Sequence, residues 1–305
     1  MRWTKKGPIY APDGHVAWAR HTALQPTPIE ISPGRIRVYL GFRDVEGVSS
    51  VGYVDVSGAD PSQVLEVSAE PSLGPGAPGA FDENGVVPTA VVKVDDGFLL
   101  TYAGYQLGQK VRFFVFGGLA HSADGRVFRR LRRTPVMDRC EEALLFRVPH
   151  SIHRDGRGWT VWYGAGSEFR GGREKTLPVY DIRRVDTDDL LDIPDLGEIA
   201  ITLRPEEHRV GRPYVVRRPT DGRYLMFYGA GTEELGYRLG YAESADGRSW
   251  QRMDDRIGID VSESGWDSEM IAYPAVITVG GRTFMFYNGN DYGRTGFGYA
   301  ELEEW

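Results

Sequence analysis

The sequence predicts an all-β protein with the fold of a five-bladed β-propeller. An apolar run of strand length, ending in a tyrosine followed by small residues, recurs five times at intervals of 59 to 65 residues. Repeats of this length that contain several strands are typical of propellers, in which each repeat is one four-stranded blade. The tyrosines that end the five runs are Tyr39, Tyr102, Tyr163, Tyr228 and Tyr287.

Prolines and turn sequences indicate the other strands of each module. The turn sequence Ser-Ala-Asp-Gly occurs at residues 122–125 and again at 244–247, and an aromatic residue follows three positions after each glycine. Asp-Gly favours the positive-φ turn of a β-hairpin, so this aromatic residue is expected to open a fourth strand. A proline also lies near the start of each strand that precedes a tyrosine-ending strand. These prolines are Pro26 with Pro28, Pro88, Pro149, Pro213 and Pro274.

The two ends of the chain are expected to share the last blade. The sequence stops at Trp305, directly after the third strand of the fifth module, and residues 2–9 resemble the outer-strand segments of other modules. Because free strand edges pair readily with other chains, we expect residues 2–10 to supply the missing outer strand and close the ring. The inner strand of the first blade then begins near residues 17–28. We expect residues 1–305 to form a single domain.

Composition restricts the location and the partners. The 305 residues include 39 Gly, 18 Pro and one Cys, with a formal net charge of −7. No apolar run reaches the ~20 residues of a membrane span, and the amino terminus lacks the ~7–15 apolar residues of a secretory signal. No basic cluster indicates a nucleic-acid partner. We therefore expect a cytoplasmic protein without disulfide bonds, and no spacing of residues specifies a metal site or a cofactor.

Acidic residues come before the inner strands of several modules. They are Asp82, Glu142 with its neighbour Glu141, and Asp267 with Glu269. Inner strands line the central tunnel of a propeller, where a carboxylate costs free energy unless it is solvated or used. We interpret Asp82, Glu142 and Glu269 as candidate catalytic residues that meet in one axial funnel. Alternatively, the acidic pair of module five caps strand ends or pairs with Arg212.

Polar residues that differ between modules are candidates for ligand contacts. An arginine beside an inner-strand proline, such as Arg212, offers two donors to a carboxylate or phosphate. A long loop at residues 168–180 is expected to form a wall or lid, since loops beyond ~12 residues in compact repeats are usually functional. The candidates are His21, Gln25, Arg43, Asp44, Gln106, Arg147, His150, Tyr180, Arg212, Asp267 and Asn290. Arg43 with Asp44 is alternatively a loop ion pair, and His150 alternatively a buried structural histidine.

Together with the five modules, several motifs resemble the five-bladed propeller glycosidases, the clan of arabinanases, xylosidases, invertases and levansucrases. The motifs include Phe81-Asp-Glu-Asn-Gly-Val, Tyr241-Ala-Glu-Ser-Ala-Asp-Gly and Gly265-Trp-Asp-Ser-Glu-Met. They are most similar to uncharacterised glycosidase-like propellers of bacterial sugar gene clusters. The resemblance covers nearly the whole chain and implies a carbohydrate-active enzyme whose partner is a small carbohydrate or a sugar-containing metabolite.

The same resemblance implies roles for three carboxylates. In the clan, blade one carries an aspartate base or nucleophile, blade two an aspartate that tunes the site, and blade three a glutamate acid. Asp82 and Glu142 match the second and third of these. Blade one has His21 and Gln25 where the first is expected. We therefore assign Glu269 as the replacement base or nucleophile.

Three functions remain open from the sequence. A glycoside hydrolase needs two carboxyl groups ~5–5.5 Å apart for retention or ~6.5–9.5 Å apart for inversion. A non-hydrolytic enzyme, such as a phosphorylase, lyase or cyclase, would use basic residues to accept an anion. A sugar-binding propeller without chemistry is the third, and the missing blade-one aspartate favours it. The basic residues of the second reading are His21, Arg43, Arg147 and Arg212.

Overall fold

Strands make up 57% of the chain and helix 2% in a computed structural model that describes residues 1–305. The strands are β1 (Arg2–Tyr10), β2 (His21–Ser32), β3 (Arg35–Arg43), β4 (Ser49–Ser57), β5 (Val64–Val67), β6 (Val86–Val94), β7 (Gly97–Leu107), β8 (Phe113–Ser122), β9 (Arg129–Arg130), β10 (Phe146–Asp155), β11 (Gly158–Arg170), β12 (Leu177–Thr187), β13 (Glu198–Ile201), β14 (Glu207–Arg217), β15 (Tyr224–Thr232), β16 (Tyr237–Ser244), β17 (Gln251–Arg252), β18 (Ala272–Val279), β19 (Arg282–Asn288) and β20 (Phe297–Glu304). Single helical turns lie at Asp254–Arg256 and Asn290–Gly293. Neither helical turn has the length or apolar character needed to cross a bilayer.

The strands pair in chain order as antiparallel sets of four. The sets are β2 to β5, β6 to β9, β10 to β13, β14 to β17, and β18 to β20 with β1. The predicted Asp-Gly turns are present, because Gly125 and Gly247 have φ of 71° and 73°. Ser122 Oγ accepts a hydrogen bond from the Gly125 amide at 2.9 Å, and Ser244 does the same for Gly247 at 2.9 Å. The turn chemistry read from the sequence is therefore confirmed.

The apolar core lies between successive sets rather than within one layer. Each of the five largest buried clusters combines side chains of two neighbouring sets. One of them joins the last set to the first, for example through Phe286 and Phe42. Parallel pairing of β8 with β10 and of β12 with β14 also links the three middle sets into one twelve-stranded sheet. Burial of these faces is the main favourable contribution to folding.

The amino terminus completes the last set, as the sequence predicts. β1 runs antiparallel to β20, with Trp3 opposite Leu302 and Tyr10 opposite Phe297. Trp3 is buried and its ring meets Phe227 edge to face, with the centroids 6.1 Å apart. The first strand therefore covers the edge of β20 and fills a core position at the same time.

The innermost strand of each set has a β-bulge at its proline. Register shifts occur in β2, β6, β10, β14 and β18 beside Pro26, Pro88, Pro149, Pro213 and Pro274. In three of these strands the residue before the proline has a left-handed backbone: Gln25 and Arg212 at φ 56° and Tyr273 at φ 57°. Such backbones cost about 1–3 kcal/mol for residues other than glycine and are found where a side chain must be re-aimed. These bulges shape the floor of the cavity described below.

Deleting residues 1–9 should lower the melting temperature by roughly 10 °C or more. The deletion exposes the edge of β20 and removes the buried Trp3, and loss of a buried tryptophan alone costs about 3–5 kcal/mol. Thermal unfolding followed by circular dichroism measures the effect. Lys6→Ala, which changes an exposed side chain on the same strand, should melt like the unmodified protein. A truncated chain that melts at the unmodified temperature would contradict the role of β1.

Candidate functional site

A cavity of about 670 Å³ opens over the proline bulges of the inner strands. Its lining includes Gln25 of β2, His150 of β10, Arg212 of β14 and Tyr273 of β18. Residues 174–178 form one side of it. The long loop expected at residues 168–180 is shorter than predicted, because β11 runs to Arg170 and β12 begins at Leu177. The volume falls in the range of small-molecule sites, about 300–1,000 Å³. This cavity is the candidate functional site.

Cations outnumber carboxylates among the side chains that line the cavity. The cations are Arg43, Arg112, Lys175, Arg209 and Arg212. The carboxylates are Glu174 and Glu233, which are exposed on loops. The Glu233 carboxylate already accepts a hydrogen bond from the Arg173 amide. The buried part of the cavity is therefore cationic.

Arg212 lies at the floor and is only 3% exposed. Its guanidinium donates to the carbonyl oxygens of Thr89 at 2.9 Å and Pro26 at 2.9 Å, and to Thr27 Oγ1 at 3.0 Å. All three acceptors are neutral, and Nε has no partner. Burial lowers the pKa of Arg212 to about 10, so the group stays charged at neutral pH. Arg212 is thus a buried cation without a counterion.

Arg209 lies on the cavity wall and is also buried. Its guanidinium carbon is 4.0 Å from the centroid of the Tyr237 ring, a cation–π contact. Nη2 donates to the Tyr292 hydroxyl at 3.1 Å, and Nε has no partner. The stacked ring fixes the guanidinium plane while an edge remains for a ligand.

Five of the twelve buried side-chain polar atoms without a partner belong to residues that line the cavity. They are Gln25 Oε1, Arg43 Nε, His150 Nδ1, Arg209 Nε and Arg212 Nε. Burial, together with the nearby charge of Arg212, holds the pKa of His150 well below its ordinary value, so the ring is neutral at pH 7. A buried polar group without a hydrogen bond costs about 1–3 kcal/mol. A cluster of such groups around one cavity is the arrangement expected where a polar ligand binds.

Tyrosines form the rest of the buried wall. The Tyr180 and Tyr237 hydroxyls are hydrogen-bonded, and Tyr237 packs against Tyr273 with the ring centroids 5.4 Å apart. Burial raises the pKa of Tyr180 well above its ordinary value, so its hydroxyl stays neutral. Neutral phenols offer both an aromatic face and a hydrogen-bonding group, a combination that suits a sugar.

Asn288 holds the strained part of the floor and was not anticipated from the sequence. It is fully buried, and its Oδ1 accepts a hydrogen bond from the Gln25 amide at 2.8 Å. Its Nδ2 donates to the carbonyls of Ala23 at 2.6 Å and Gly296 at 2.9 Å. It thereby ties β2 to the turn that presents Tyr292. The only signal in the sequence is that Asn288 follows its tyrosine where three of the other modules have glycine or alanine.

Five of the predicted ligand contacts line the cavity, and six do not. Those in the lining are Gln25, Arg43, His150, Tyr180 and Arg212. Those outside it are His21, Asp44, Gln106, Arg147, Asp267 and Asn290. Asp44 Oδ1 accepts hydrogen bonds from the amides of Glu46 and Val48 at 2.9 Å each, which organises its own loop.

The other excluded residues are also engaged in local contacts. His21 Nδ1 shares a hydrogen bond with Thr22 Oγ1 at 2.8 Å. Gln106 donates to Glu83 at 3.1 Å. Arg147 is 1% exposed and donates to the carbonyl of Pro194. Asn290 Oδ1 accepts from the amides of Glu269 and Met270 at 2.8 and 3.1 Å. Each of these residues thus contacts its own surroundings rather than the cavity, although Arg147 Nε is left without a partner.

The three carboxylates expected to meet in one funnel do not meet in the cavity. Asp82 is 1% exposed and pairs with Arg130 at 2.7 Å. Glu142 pairs with Arg183 at 2.8 Å and accepts a hydrogen bond from Tyr163. The Glu269 side chain is exposed, and the hydrogen bonds of this residue are made by its backbone, from the amide to Asn290 at 2.8 Å and from Arg238 to the carbonyl at 2.9 Å.

A repeated contact explains this placement. In four sets, a carboxylate lies just before the inner strand or at its start. It pairs with a cation of the third or fourth strand of the same set. The pair lies close to the tyrosine that ends the second strand. The pairs are Asp82 with Arg130, Glu142 with Arg183, Glu207 with Arg252 at 2.8 Å, and Asp267 with Lys5 at 2.7 Å. The tyrosine donates directly to the carboxylate in two of them, from Tyr163 to Glu142 and from Tyr287 to Asp267. The acidic residues therefore stabilise each set.

Solved structures with the same architecture are carbohydrate-active enzymes, so the fold is that of the propeller glycosidase clan. A glycoside hydrolase superposes with a TM-score of 0.73 at 16% identity, over 98% of this chain and 90% of that one. A β-1,2-mannobiose phosphorylase from Listeria innocua, in complex with β-1,2-mannobiose, gives 0.72 at 15% identity, over 99% and 97%. A thermostable family-43 glycoside hydrolase gives 0.66 at 17%, over 92% and 88%. At these identities the likeness establishes the fold.

A closer relative is known from sequence. The uncharacterised protein Rv1502 of Mycobacterium tuberculosis H37Rv is 37% identical to this chain over an alignment of 309 residues. The alignment covers 99% of this chain and all of the relative. The chain therefore belongs to the family of Rv1502. No protein-family model matches the sequence.

Asp82→Asn should lower the free energy of unfolding by about 1–3 kcal/mol, because it leaves the partly buried Arg130 guanidinium beside a neutral group. Glu269→Gln is the matched control at an exposed carboxylate and should change stability by less than about 0.5 kcal/mol. Urea denaturation measures both. A stable Asp82→Asn protein that has lost ligand binding would instead return Asp82 to the functional site.

Three buried histidines should make stability fall in mild acid. Burial lowers the pKa of His150, His153 and His208, that of His208 to about 4. The unfolded chain takes up these protons near pH 6.5 while the folded protein does not, so the three groups leave stability unchanged above pH 6.5 and lower it progressively below that pH. Each contributes up to about 1.4 kcal/mol per pH unit.

The measurement is the free energy of unfolding between pH 7.5 and 5.5, compared between the unmodified protein and His208→Gln. The variant should show a shallower slope. His15→Gln, at an exposed histidine, is the control and should keep the original slope. An unchanged slope in His208→Gln would show that His208 is protonated equally in both states.

Proposed function

We propose that the protein is a carbohydrate-active enzyme that binds its sugar together with an anionic group in the cationic cavity. The anionic group is a phosphate or carboxylate on the sugar, or inorganic phosphate beside it. The observation that carries the proposal is Arg212, a fully buried cation whose acceptors are all neutral.

An anion is the kind of ligand that best matches the positive charge of the cavity. A buried charge without a partner costs several kcal/mol, which a bound anion recovers through attraction and hydrogen bonds in a low-dielectric site. The guanidinium groups of Arg43, Arg209 and Arg212 line the cavity and supply the positive charge that attracts such an anion. Neutral His150 supplies a further donor or acceptor.

A carbohydrate is supported by the wall and by the fold. The tyrosines Tyr180, Tyr237 and Tyr273 combine aromatic faces with hydroxyl groups, as sugar sites commonly do. Enzymes with the same fold include glycoside hydrolases and mannoside phosphorylases. Fold alone does not assign an activity, so the proposal rests on the cavity.

Among reactions at a glycosidic bond, phosphorolysis suits this cavity best. Hydrolysis by the usual route needs two carboxyl groups around the scissile bond. The buried lining offers none, and the two lining carboxylates are exposed on loops. In phosphorolysis an oxygen of inorganic phosphate forms the bond to the anomeric carbon as the glycosidic C–O bond breaks. The departing sugar oxygen takes a proton from the attacking hydrogen phosphate or dihydrogen phosphate ion, and a sugar 1-phosphate results.

The architecture and location belong to the same proposal. The five sets of four strands are the blades of one propeller domain, residues 1–305, which β1 closes in the last blade. The core clusters between successive sets support this arrangement. We place the protein in the cytoplasm, which a single cysteine supports.

Inorganic phosphate and sugar phosphates should raise the melting temperature of the protein. A ligand at 100 times its Kd adds about 2.7 kcal/mol, which corresponds to roughly 5–10 °C in a chain of this size. Arg212→Lys, which retains the charge but loses the fork, should reduce the shift, and Arg212→Met should abolish it. Arg217→Met, at an exposed arginine of the same strand, is the matched control.

The activity test is a screen of aryl glycosides and disaccharides with and without phosphate, with sugar 1-phosphate as the product assayed. Phosphate-dependent release of the leaving group supports phosphorolysis. A protein whose melting temperature is unmoved by phosphate, sugar phosphates and uronates would contradict the anionic ligand.

A further inference from the structure

Two arginines of one strand reach the same cavity because of a backbone distortion. Arg209 and Arg212 are three residues apart on β14, and side chains an odd number of residues apart on a regular strand face opposite sides. Between Gly211 and Tyr214 a bulge adds one residue, and Arg212 takes the left-handed φ of 56°. Both side chains then line the cavity.

The surroundings of the two guanidinium groups differ. Arg212 is bound at the floor by acceptors of β2 and β6. Arg209 is held on the wall by the Tyr237 ring and the Tyr292 hydroxyl. The two guanidinium groups share no partner, since Arg212 is held by β2 and β6 and Arg209 by Tyr237 and Tyr292.

Neither cation has a carboxylate partner. Two like charges in one desolvated cavity repel each other, and each also carries its own desolvation cost. A single anion at the floor compensates the charge of Arg212 and leaves the charge of Arg209 on the wall uncompensated. The strained bulge that turns both arginine side chains into the cavity costs free energy. This cost favours a role for the second charge in ligand binding.

We infer that the cavity contains two anion subsites, one at Arg212 and one at Arg209, and that the ligand is a carbohydrate with two separate anionic groups. A sugar bisphosphate or a phosphorylated uronic acid has this chemistry. Tyr273 lines the cavity beside these subsites, where it can contact the sugar ring that joins the two groups. This inference rests on the proposed function, because it assigns the first anion to Arg212.

Calorimetric titration with fructose 6-phosphate and fructose 1,6-bisphosphate tests it. The two probes share a sugar and differ in one phosphate. The bisphosphate should bind about tenfold or more tightly, the effect of one additional charge-assisted hydrogen bond or more. Arg209→Met should reduce the affinity for the bisphosphate to that for the monophosphate, and leave the monophosphate affinity within about twofold.

Two further variants keep the test valid if Arg209→Met fails to fold. Tyr292→Phe removes the hydrogen bond to Arg209 Nη2 but keeps the ring, and Arg209→Lys keeps the charge but not the fork. Each should weaken the binding of the bisphosphate but not that of the monophosphate, and the loss should be smaller than in Arg209→Met. Arg217→Met is the control and should bind both probes normally.

The outcomes separate this inference from the proposed function. Equal affinities for the two probes, or an equal loss of both in Arg209→Met, would overturn the second subsite and leave the anionic ligand intact. If neither probe, nor inorganic phosphate, nor a uronate binds, the proposed function fails and the inference fails with it. Selective loss of the bisphosphate in the Arg209 and Tyr292 variants supports two subsites.

Discussion

The buried guanidinium of Arg212 is the interaction on which the centre of the structure depends. It connects β14 to β2 and β6 through the carbonyls of Pro26 and Thr89, although these strands lie far apart in sequence. Only an arginine has the reach and the number of donors to satisfy carbonyls on two other strands at once. The same group places a permanent positive charge beside the cavity, so one side chain serves both the architecture and the site.

The repeating features of the sequence predicted the fold because they serve it. The recurrent tyrosines are packed between successive sets, and Tyr39, Tyr102 and Tyr163 are completely buried. The Ser-Ala-Asp-Gly turns and the pairing of β1 with β20 were also predicted from local pattern. These features follow from turn chemistry, alternation and edge protection, all of which act over short stretches of chain.

The candidate site was predicted in part, and the errors have a physical origin. Arg212, Gln25 and His150 were found because they flank the inner-strand prolines, whose position is visible in the sequence. Arg209 was missed because a bulge in β14 changes which way the side chains face, and a simple alternation of residues does not predict it. Asn288 was missed because its partners Gln25 and Ala23 lie at the other end of the sequence. Asp82 and Glu142 were interpreted as catalytic because of the family resemblance, whereas each has a cationic partner on another strand of its own set.

The distribution of satisfied and unsatisfied groups separates the two kinds of residue. Where a polar group recurs from set to set, such as the carboxylates before the inner strands, its partner recurs with it and the charge is compensated within the fold. Two polar groups of the cavity that occur once, Arg209 and Gln25, each have an unpartnered atom, and Gln25 also has a strained backbone. Unpaired groups and strain each reduce stability, so they persist only where another contribution offsets them. A ligand bound in the cavity, as proposed above, would be a contribution of this kind at Arg209 and Gln25.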